Sequence, residues 1–493
     1  MPEVCTDKTR GLLLAIDLGT TLLKVGLFDV EGHLMALEAA RYPVYRPQPD
    51  WIEQRPEDWY HLLTGLLHSL WQDGEASPQQ VLGIGLSGRG GGGVFLDEEG
   101  KVLAPCWLDW RGAGGDYLSS LRQQTDRISA SALSLASRLL WLRENRPDIF
   151  TQTRHALQVK DYILYRLTGV LASDNSAGPA DRDWPAEVFA AVGFDPAGLP
   201  AVLPLGALAG ELTRTAAEEL GLRPGLPVSV GAHDGVCANI GAGMIELGQA
   251  ALTLGTTGVV RVVTGRPLYS TRSFSCFHYR FLEGRWACGG DAIMAGRAVE
   301  WAAQTLAADR PAPERFATLE AEATAVSAGC DGLLFLPFLS GTVAPRPRRD
   351  ATGSFCGLTF GHDRAHLFRA ALEGVGYALR GIADELMEVA GPLRDVRVTG
   401  GGSRSRLWVQ CLADILERPL GVPEEEASAR GAALLLALAL GLYGRPADAA
   451  AAMTRTVETF QPRPETAAVY RQQYERFMEL AANEPGREST RKA

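Results

Sequence analysis

The stretch LLLAIDLGTTLLKVGLF, residues 12–28, carries more structural information than any other part of the chain. Apolar runs at Leu12–Ile16 and Leu22–Phe28 flank a Gly-Thr-Thr turn, and this pattern predicts a strand, a tight turn and a second strand. The tetrapeptide Leu-Gly-Thr-Thr occurs again at Leu254–Thr257, also between apolar stretches. A tight turn with exposed backbone N–H groups and two hydroxyls is well suited to hold phosphate. The repeat therefore predicts two halves that hold one polyphosphate.

Size and charge limit the classes of protein to which the chain can belong. With 493 residues it is too long for one hydrophobic core and is expected to form two or three domains. A composition of 46% hydrophobic and 22% charged residues is that of a globular protein. The net charge of −10 argues against a nucleic-acid partner, which requires a basic surface. We place an N-terminal domain at 11–246, a C-terminal domain at 247–445, and a helical, charged tail at 446–493.

The distribution of cysteines and of apolar residues predicts the cellular compartment of the protein. The eight cysteines are scattered without a C-x-x-C motif, so we expect neither a disulfide scaffold nor a metal framework, and a reducing cytoplasmic location. No apolar run reaches about 18 residues, so no membrane partner is expected. The apolar stretch Ala432–Leu442 is interpreted as a buried helix, and Met1–Arg10 lacks the features of a secretory signal.

Strands alternate with helices in both halves, which predicts an α/β fold with mixed sheets. We expect a helix at Pro56–Gln72, and strands at Val81–Leu86 and Pro227–Ala232. The last of these strands delivers His233-Asp234-Gly235 at its end, where α/β proteins usually place ligand chemistry. Two interpretations of Asp234 stay open: a solvated carboxylate that caps the next helix, or the acceptor of a substrate hydroxyl proton.

A glycine-rich segment, TGGGSRS at 399–405, follows a predicted strand and precedes a predicted helix. Glycines at such a junction let the backbone approach a planar ring and present the N–H groups of the helix. The segment lacks the spacing of G-x-G-x-x-G, and an ordinary glycine-rich turn is the simpler interpretation.

The segment Phe335–Val375, FLPFLSGTVAPRPRRDATGSFCGLTFGHDRAHLFRAALEGV, resembles the C-terminal signature of the FGGY carbohydrate kinases, a branch of the actin-like ATPases. With the two Gly-Thr-Thr turns, the His-Asp-Gly motif and the glycine-rich segment, the resemblance extends from Leu12 to about Tyr443. It implies two actin-like (ribonuclease H-like) domains with mixed sheets flanked by helices, and an active site in the cleft between the domains.

The same resemblance implies that the cofactors are ATP and Mg²⁺. Asp234 would be the catalytic base, and Asp17 and Asp234 would hold the metal through water. Taken alone, the first Gly-Thr-Thr turn is an ordinary β-hairpin; Asp17 before it and Lys24 after it favour the functional interpretation. Ser405 stands where related chains often carry Asn. The full set of implied ATP-binding residues is Asp17, Gly19, Thr20, Thr21, Lys24, Gly255, Thr256, Thr257, Gly400, Gly401, Gly402 and Ser405.

The sugar-contacting loops depart from the xylulokinase-type pattern, which is otherwise the most similar branch. Xylulokinases usually carry Ser-Gly-Gln and then Met-His-Gly, whereas this chain has Ser87-Gly88-Arg89 and four glycines. Arg89 could bind a carboxylate of a substrate such as gluconate with two hydrogen bonds, or form a surface ion pair. The next loop, WLDWR at 107–111, retains an Asp and an Arg as candidate hydroxyl binders, and Trp107 or Trp110 could stack on a sugar. The implied substrate-binding residues are Ser87, Arg89, Gly90, Asp109, Arg111 and Asp234.

We therefore expect an ATP-dependent kinase for a small sugar or polyol, with a ketopentose such as xylulose as the leading substrate. Gluconate, L-xylulose, ribulose and erythritol or another polyol are the alternatives, and a homodimer is compatible with the sequence. An actin-like ATPase and a non-catalytic sugar sensor are the alternatives from other classes. The first would carry a further peptide-binding domain, and the second would lack Asp234 or a phosphate loop.

Overall fold

The hairpin predicted at residues 12–28 is the centre of the first sheet, in a computed structural model that describes residues 11–72, 76–109, 111, 130–177, 183–270, 275–292, 294–344, 347–348 and 350–483. In the first half of the chain these residues form strands β1 (Leu12–Leu18), β2 (Leu22–Asp29), β3 (Leu34–Arg41), β4 (Glu53–Gln54), β5 (Val81–Gly88), β6 (Val94–Leu96), β7 (Cys106–Trp107), β8 (His155–Leu157), β9 (Ala172–Asp174), β10 (Ala201–Leu203), β11 (Leu208–Glu211), β12 (Pro227–Ser229) and β13 (Ala232–His233). The second half contributes β14 (Gln249–Leu254), β15 (Gly258–Thr264), β16 (Phe277–Arg280), β17 (Trp286–Ala292), β18 (Leu334–Leu336), β19 (Ser354–Cys356), β20 (Asp395–Thr399), β21 (Leu420–Pro423) and β22 (Thr456–Phe460).

Helices alternate with these strands. Those of the first half are α1 (Pro56–Gln72), α2 (Ala130–Asn145), α3 (Pro147–Gln152), α4 (Val159–Thr168), α5 (Ala186–Ala191), α6 (Arg214–Leu220) and α7 (Asp234–Gly241). Those of the second half are α8 (Gly296–Leu306), α9 (Ala312–Ala323), α10 (Arg364–Ala390), α11 (Arg406–Leu416), α12 (Ala427–Ala439), α13 (Pro446–Met453) and α14 (Ala467–Asn483). None of the described helices is both long and apolar enough to cross a membrane.

The first sheet brings three strand ends together. Its strand order is β11–β12–β5–β1–β2–β3, and β13 pairs with β5. Strand β5 runs parallel to β1 and places Ser87 beside Asp17, while β13 runs parallel to β5 and places Ala232 beside Ser87. Because carboxyl ends of parallel strands meet at one edge of a sheet, the residues that follow β1, β5 and β13 lie at the same edge.

The second sheet repeats the first. Its order is β16–β17–β15–β14–β20–β21–β22. In the second sheet the antiparallel hairpin β14–β15 is followed by two parallel strands, β20 and β21, and by the antiparallel edge strand β22. In the first sheet the antiparallel hairpin β1–β2 is followed in the same way by the parallel strands β5 and β12 and by the antiparallel strand β11. The same pairing in the same order shows that the repeated tetrapeptide marks two copies of one architecture.

Helices cover both faces of the first sheet, which explains why all seven residues of β1 are buried. Helix α1 packs against β2 and β3 through apolar residues at helical spacing, among them Trp59, Leu63 and Leu67. Helix α12 packs against β1 and β5 and crosses α7 with backbone in contact. A side chain at Gly431 would meet the Cys237 carbonyl oxygen at 2.0 Å, so only glycine permits this crossing.

The compact units are not continuous in sequence, unlike the domains expected at 11–246 and 247–445. One unit comprises Met1–Ile245, Tyr279–Gly284 and Glu426–Thr454, and the other comprises Glu246–His278, Arg285–Glu425 and Arg455–Ala493. Helix α12 belongs to the first unit because its small residues allow close packing on α7. The segment expected as a helical tail, 446–493, also contains β22, which is an edge strand of the second sheet. Residues 484–493 of that segment lie outside the described residues.

Candidate functional site

The first Gly-Thr-Thr turn closes the β1–β2 hairpin as predicted. The Gly19 N–H donates to the Leu22 carbonyl at 3.1 Å, and Thr20 and Thr21 are exposed at the tip. The pairing places Asp17 directly opposite Lys24. Two hydroxyls, one carboxylate and one ammonium therefore cluster around a turn whose backbone is exposed, which is suitable chemistry for a metal–phosphate group.

The Asp17 carboxylate is held by its neighbour on β5. The Ser87 hydroxyl donates to its Oδ1 at 2.6 Å. Burial raises the pKa of Asp17 to about 6; the Ser87 hydrogen bond opposes this rise, and the negative charge of Asp234 adds to it. A carboxylate buried at a free-energy cost beside a second carboxylate is typical of a functional site rather than of a structural one.

Lys24 is paired with a residue that sequence reasoning did not select. Its Nζ lies 2.6 Å from Oε2 of Glu426, which immediately precedes α12 and belongs to the same unit. The only sequence signal was the run of three glutamates, Glu424–Glu426, before a predicted helix. Nothing in that run indicated a partner on a strand 402 residues away.

Asp234 lies at the carboxyl end of β13, at the edge where Asp17 and Ser87 lie, and is the first residue of α7. Its side chain is 31% exposed. The cap of α7 is made by His233, whose Nδ1 accepts from the Gly235 N–H at 3.0 Å and whose ring stacks on Tyr279 at 4.2 Å. The capping role considered for Asp234 is therefore filled largely by its neighbour, although the Gly235 N–H also approaches Asp234 Oδ1 at 2.6 Å.

A buried ionic network lies behind this strand end. The Lys160 Nζ contacts Asp161 at 3.0 Å and Asp174 at 3.1 Å, and all three side chains are fully buried. Asp174 accepts a hydrogen bond from the Ser176 hydroxyl, and that hydroxyl in turn accepts from the His233 N–H at 2.9 Å. The Lys-Asp pair therefore helps to fix β13, and with it the position of the adjacent carboxylate of Asp234.

Arg89 is buried rather than at the surface, which rules out the surface ion pair considered for it. Its Nη2 donates to Gln54 Oε1 at 3.2 Å, and the guanidinium lies 5.8 Å from the ring centre of Trp59. Its buried Nε has no hydrogen-bond partner among the described residues. Gln54 also donates to the Thr20 carbonyl at 3.1 Å, so it links the arginine to the first phosphate turn.

The glycine run after Arg89 shapes this loop. Gly91 and Gly92 have φ values of 73° and 85°, a conformation that residues with side chains rarely adopt. A side chain at Gly92 would also meet the Cys106 sulfur at 2.9 Å. Gly90 is partly exposed and stands between Arg89 and these glycines, so its backbone is accessible.

Asp109 and Arg111 are engaged with each other. The Arg111 Nε and Nη2 donate to the two oxygens of Asp109 at 2.8 and 2.9 Å, and Nη1 donates to Glu53 at 2.8 Å. Asp109 also accepts from the Ile52 N–H at 2.8 Å, and these contacts lower its pKa against the effect of burial. Trp107 is buried against Phe95 and belongs to the core, and Trp110 lies outside the described residues.

The second Gly-Thr-Thr turn closes the β14–β15 hairpin in the other unit. The Gly255 N–H donates to the Thr257 carbonyl at 3.0 Å, and Thr256 is exposed. The carbonyls of Gly255 and Thr256 accept from the first N–H groups of α8, which fixes the turn against that helix. The second turn is one residue tighter than the first, in which the Gly19 N–H reaches the Leu22 carbonyl, and it lacks an acidic residue at the position of Asp17.

The glycine-rich segment follows β20 and lies beside this turn, since Thr399 pairs with Thr253 across parallel strands and their hydroxyls are 3.0 Å apart. Gly401 faces open space. Ser405 instead is buried: its hydroxyl caps α11 by accepting from the Trp408 N–H at 3.1 Å and donates to Glu320. The three glycines, Gly400, Gly401 and Gly402, are thus accessible, whereas the serine has a structural role that the sequence did not indicate.

The duplicated hairpin-centred sheets define the actin-like class of phosphotransferase folds, and comparison with known proteins identifies the family. The N-terminal domain model of the FGGY family of carbohydrate kinases matches residues 12–241, and its C-terminal domain model matches residues 250–440. The chain belongs to this family. It is therefore a carbohydrate kinase, an enzyme that transfers a phosphoryl group from ATP to an alcohol group of a sugar.

The individual relatives include both gluconokinases and xylulose kinases. The chain is 31% identical to the gluconokinase of Bacillus subtilis (strain 168) over 457 residues, 87% of each protein. It is 34% identical to the xylulose kinase of Escherichia coli (strain K12) over 418 residues, 82% of this chain and 84% of that protein. The crystal structure of ligand-bound xylulose kinase from Lactobacillus acidophilus superimposes with a TM-score of 0.86 at 25% identity, over 96% of this chain and 99% of that one. The predicted α/β fold and the predicted class of enzyme are confirmed; the substrate is not distinguished by these relatives.

Proposed function

We propose that the protein phosphorylates a small acyclic sugar acid, an aldonate such as gluconate. The observation that carries this choice is the buried Arg89 guanidinium, whose Nε has no partner among the described residues. Nη2 of this guanidinium has Gln54 as a partner, but each hydrogen bond that a buried polar group fails to make costs about 1–3 kcal/mol, and more when the group is charged. A substrate carboxylate would supply both the missing acceptor and the missing charge.

A second arginine supports the same proposal. Arg138 on α2 is partly buried, and its buried Nε also lacks a hydrogen-bond partner among the described residues. Burial lowers the pKa of Arg138, and the nearby positive charge of Arg89 lowers it further. Its guanidinium donates to the backbone and hydroxyl oxygens of Ser134 and to the Trp107 carbonyl, and neither arginine forms an ion pair with a carboxylate within 4 Å among the described residues. Two like charges held close together favour an anionic ligand between or beside them.

A ketopentose such as xylulose is the second candidate. It is favoured by the xylulose kinase relatives and by the glycine run, because the accessible backbone near Gly90 could bind sugar hydroxyls. L-xylulose, ribulose and erythritol would fit the same backbone-lined loop. These neutral sugars would leave Arg89 without a charged partner, which is why they rank below an aldonate.

In the proposed reaction Asp234 accepts the proton of the attacking hydroxyl, since it is the partly exposed carboxylate at the shared strand edge. Lys24 and the backbone of Gly19, Thr20 and Thr21 would bind phosphate oxygens from one unit. In the other unit, the corresponding residues would be Gly255, Thr256 and Thr257 for phosphate and Gly400, Gly401, Gly402 and Ser405 for adenosine, of which Ser405 is the least accessible. Positioning and charge neutralisation supply most of the rate enhancement in phosphoryl transfer.

The acidic residues at the strand edge fit a magnesium ion. Mg²⁺ prefers carboxylate oxygens and retains several waters, and Asp17 and Asp234 offer hard oxygen ligands near each other. When bound, the ion would neutralise charge on the phosphates of ATP. The chain's own contribution is to hold Asp17 with the Ser87 hydroxyl so that one carboxylate oxygen remains available.

An ADP-release assay with alternative acceptors tests the substrate. We expect gluconate to give the highest kcat/KM in a panel with D-xylulose, L-xylulose, D-ribulose, glycerol and erythritol. A higher value for D-xylulose with inert gluconate would contradict the aldonate proposal. ADP release that no sugar changes would favour an actin-like ATPase instead.

Arg89→Gln should separate anionic from neutral acceptors. We expect kcat/KM for gluconate to fall by about 10- to 100-fold, the worth of a hydrogen bond to a charged group. Turnover of neutral sugars should change much less, because they lack the carboxylate. Arg154→Gln removes an exposed arginine from the same unit and should leave both values unchanged. An equal loss for gluconate and D-xylulose in Arg89→Gln would show that Arg89 does not recognise a carboxylate.

A further inference from the structure

Two carboxylates lie near Lys24, those of Asp17 and Glu426, and Lys24 is paired with Glu426 although Asp17 is much closer in sequence. Asp17 stands directly opposite it across the hairpin, where side chains on one face come within about 4.5–5.5 Å at their Cβ atoms and opposite charges attract. Yet the Lys24 ammonium lies 2.6 Å from Glu426. Among the described residues, the hydrogen bond that the Asp17 carboxylate accepts from a side chain comes from Ser87, not from Lys24.

Glu426 adopts an unfavourable backbone conformation to reach that position. Its φ of 61° and ψ of 44° lie in the left-handed region, which residues with side chains rarely occupy. It precedes α12 at the capping position, but its side chain makes no capping hydrogen bond. Its side chain is only 6% exposed. Backbone strain of this kind persists at functional sites, and capping does not account for it here.

The segment around Glu426 is fixed relative to Asp234. The glycine-mediated crossing packs Ala427, the first residue of α12, against Gly241 at the end of α7, and Gly431 against Cys237 in the middle of α7. The Ser428 hydroxyl also donates to the Asp234 carbonyl at 3.4 Å. Glu426 is thus anchored to the same helix that begins with Asp234, and its carboxylate has a defined place beside Lys24.

We propose that Glu426 is a positioning residue that binds Lys24 and keeps its ammonium away from Asp17. The Asp17 carboxylate is then free to act on the nucleotide side of the site, while Lys24 is held beside it in a single place. This inference rests on the role proposed above for Asp17. Without the Glu426 carboxylate, the Lys24 ammonium would form an ion pair with Asp17, which lies opposite it in the hairpin. Asp17 could then no longer act on the nucleotide side of the site, and Lys24 could no longer bind phosphate.

The test compares Glu426→Gln in two backgrounds, the natural chain and Lys24→Met. In the natural chain we expect kcat/KM to fall by about 10- to 100-fold, the usual effect of removing a group that orients an active-site residue. In the Lys24→Met background we expect Glu426→Gln to have little further effect, since no ammonium remains to block Asp17. The affinity for ATP in EDTA, measured by calorimetry, should follow the same pattern because Lys24 acts on phosphate without metal.

Equal losses in both backgrounds would overturn the inference, because Glu426 would then act independently of Lys24. Unchanged activity of Glu426→Gln in the natural chain would overturn it as well. If Lys24→Met alone is fully active and also restores the activity of Glu426→Gln, the inference holds and the phosphate-binding role of Lys24 fails.

Glu417→Gln is the matched control. Glu417 also has a positive φ, 52°, and forms ion pairs, but with Arg471 and Arg380 in the other unit. It should lose stability comparably and retain kcat/KM. Thermal unfolding of each variant distinguishes a folding defect from the proposed effect: Glu426→Gln should remain folded at the assay temperature while its activity falls.

Discussion

Asp234→Asn is expected to abolish sugar-dependent ADP release while ATP still binds. A general base in proton transfer contributes about 10²- to 10⁴-fold to the rate, so kcat should fall by that factor. Asparagine preserves the size of the side chain and can still accept from the Gly235 N–H, so α7 should begin in the same way. Asp234→Ala should behave alike in catalysis. The measurement is kcat with a saturating acceptor, together with ATP affinity by calorimetry.

Asp195→Asn provides the comparison for this substitution. Asp195 also stands at a helix start and accepts from a backbone N–H, that of Ala197, but it lies at the surface away from the strand edge. It should retain full activity. Turnover of Asp234→Asn equal to that of the natural chain would exclude Asp234 as the base, whatever its position.

The strand and helix pattern was predictable because it is local. Apolar spacing predicted α1 with the bounds that the structure gives, Pro56–Gln72, and the buried stretch Ala432–Leu442 was correctly interpreted as a helix, which runs as Ala427–Ala439. The two Gly-Thr-Thr turns were predictable because glycine and threonine act on the backbone within a few residues. The roles of the individual site residues remain predictions.

The partners of those residues were not predictable, because they depend on which elements pack together. Glu426 meets Lys24 only because α12 returns to the first unit, and Gln54 meets Arg89 only because β4 pairs with β7. Ser405 was expected at the adenosine and is a helix cap held by Glu320. In each case the side chain's chemistry was recognised, but its neighbour lay tens to hundreds of residues away.

Asp17→Asn should inactivate the enzyme and stabilise it at the same time. Loss of the carboxylate removes the proposed ligand of the metal-bound water, and we expect kcat/KM to fall by about 10²-fold or more, equivalent to several kcal/mol of charge stabilisation. Asparagine can keep the hydrogen bond from Ser87 through its own oxygen. Asp29→Asn removes a carboxylate from the end of the same hairpin and should leave activity unchanged.

The stabilising effect of Asp17→Asn should depend on pH in a defined direction. Burial is the main reason that the pKa of Asp17 is raised from 3.8 to about 6, so ionisation disfavours the folded state. Well below the ordinary pKa of 3.8 the carboxyl is protonated in both the folded and the unfolded chain, and the natural protein and the variant should be equally stable. As the pH rises from 4 through 6, the natural protein should lose on the order of 3 kcal/mol that the variant does not lose.

Unfolding temperatures of both proteins between pH 4 and 8, without nucleotide or metal, test this directly. The variant's advantage should appear above pH 4 and level off above pH 6. A constant difference across this range would mean that the Asp17 carboxylate is not under the strain that its burial implies. A variant both inactive and more stable above pH 6 would place Asp17 among the residues whose burial is retained for catalysis at the expense of folding.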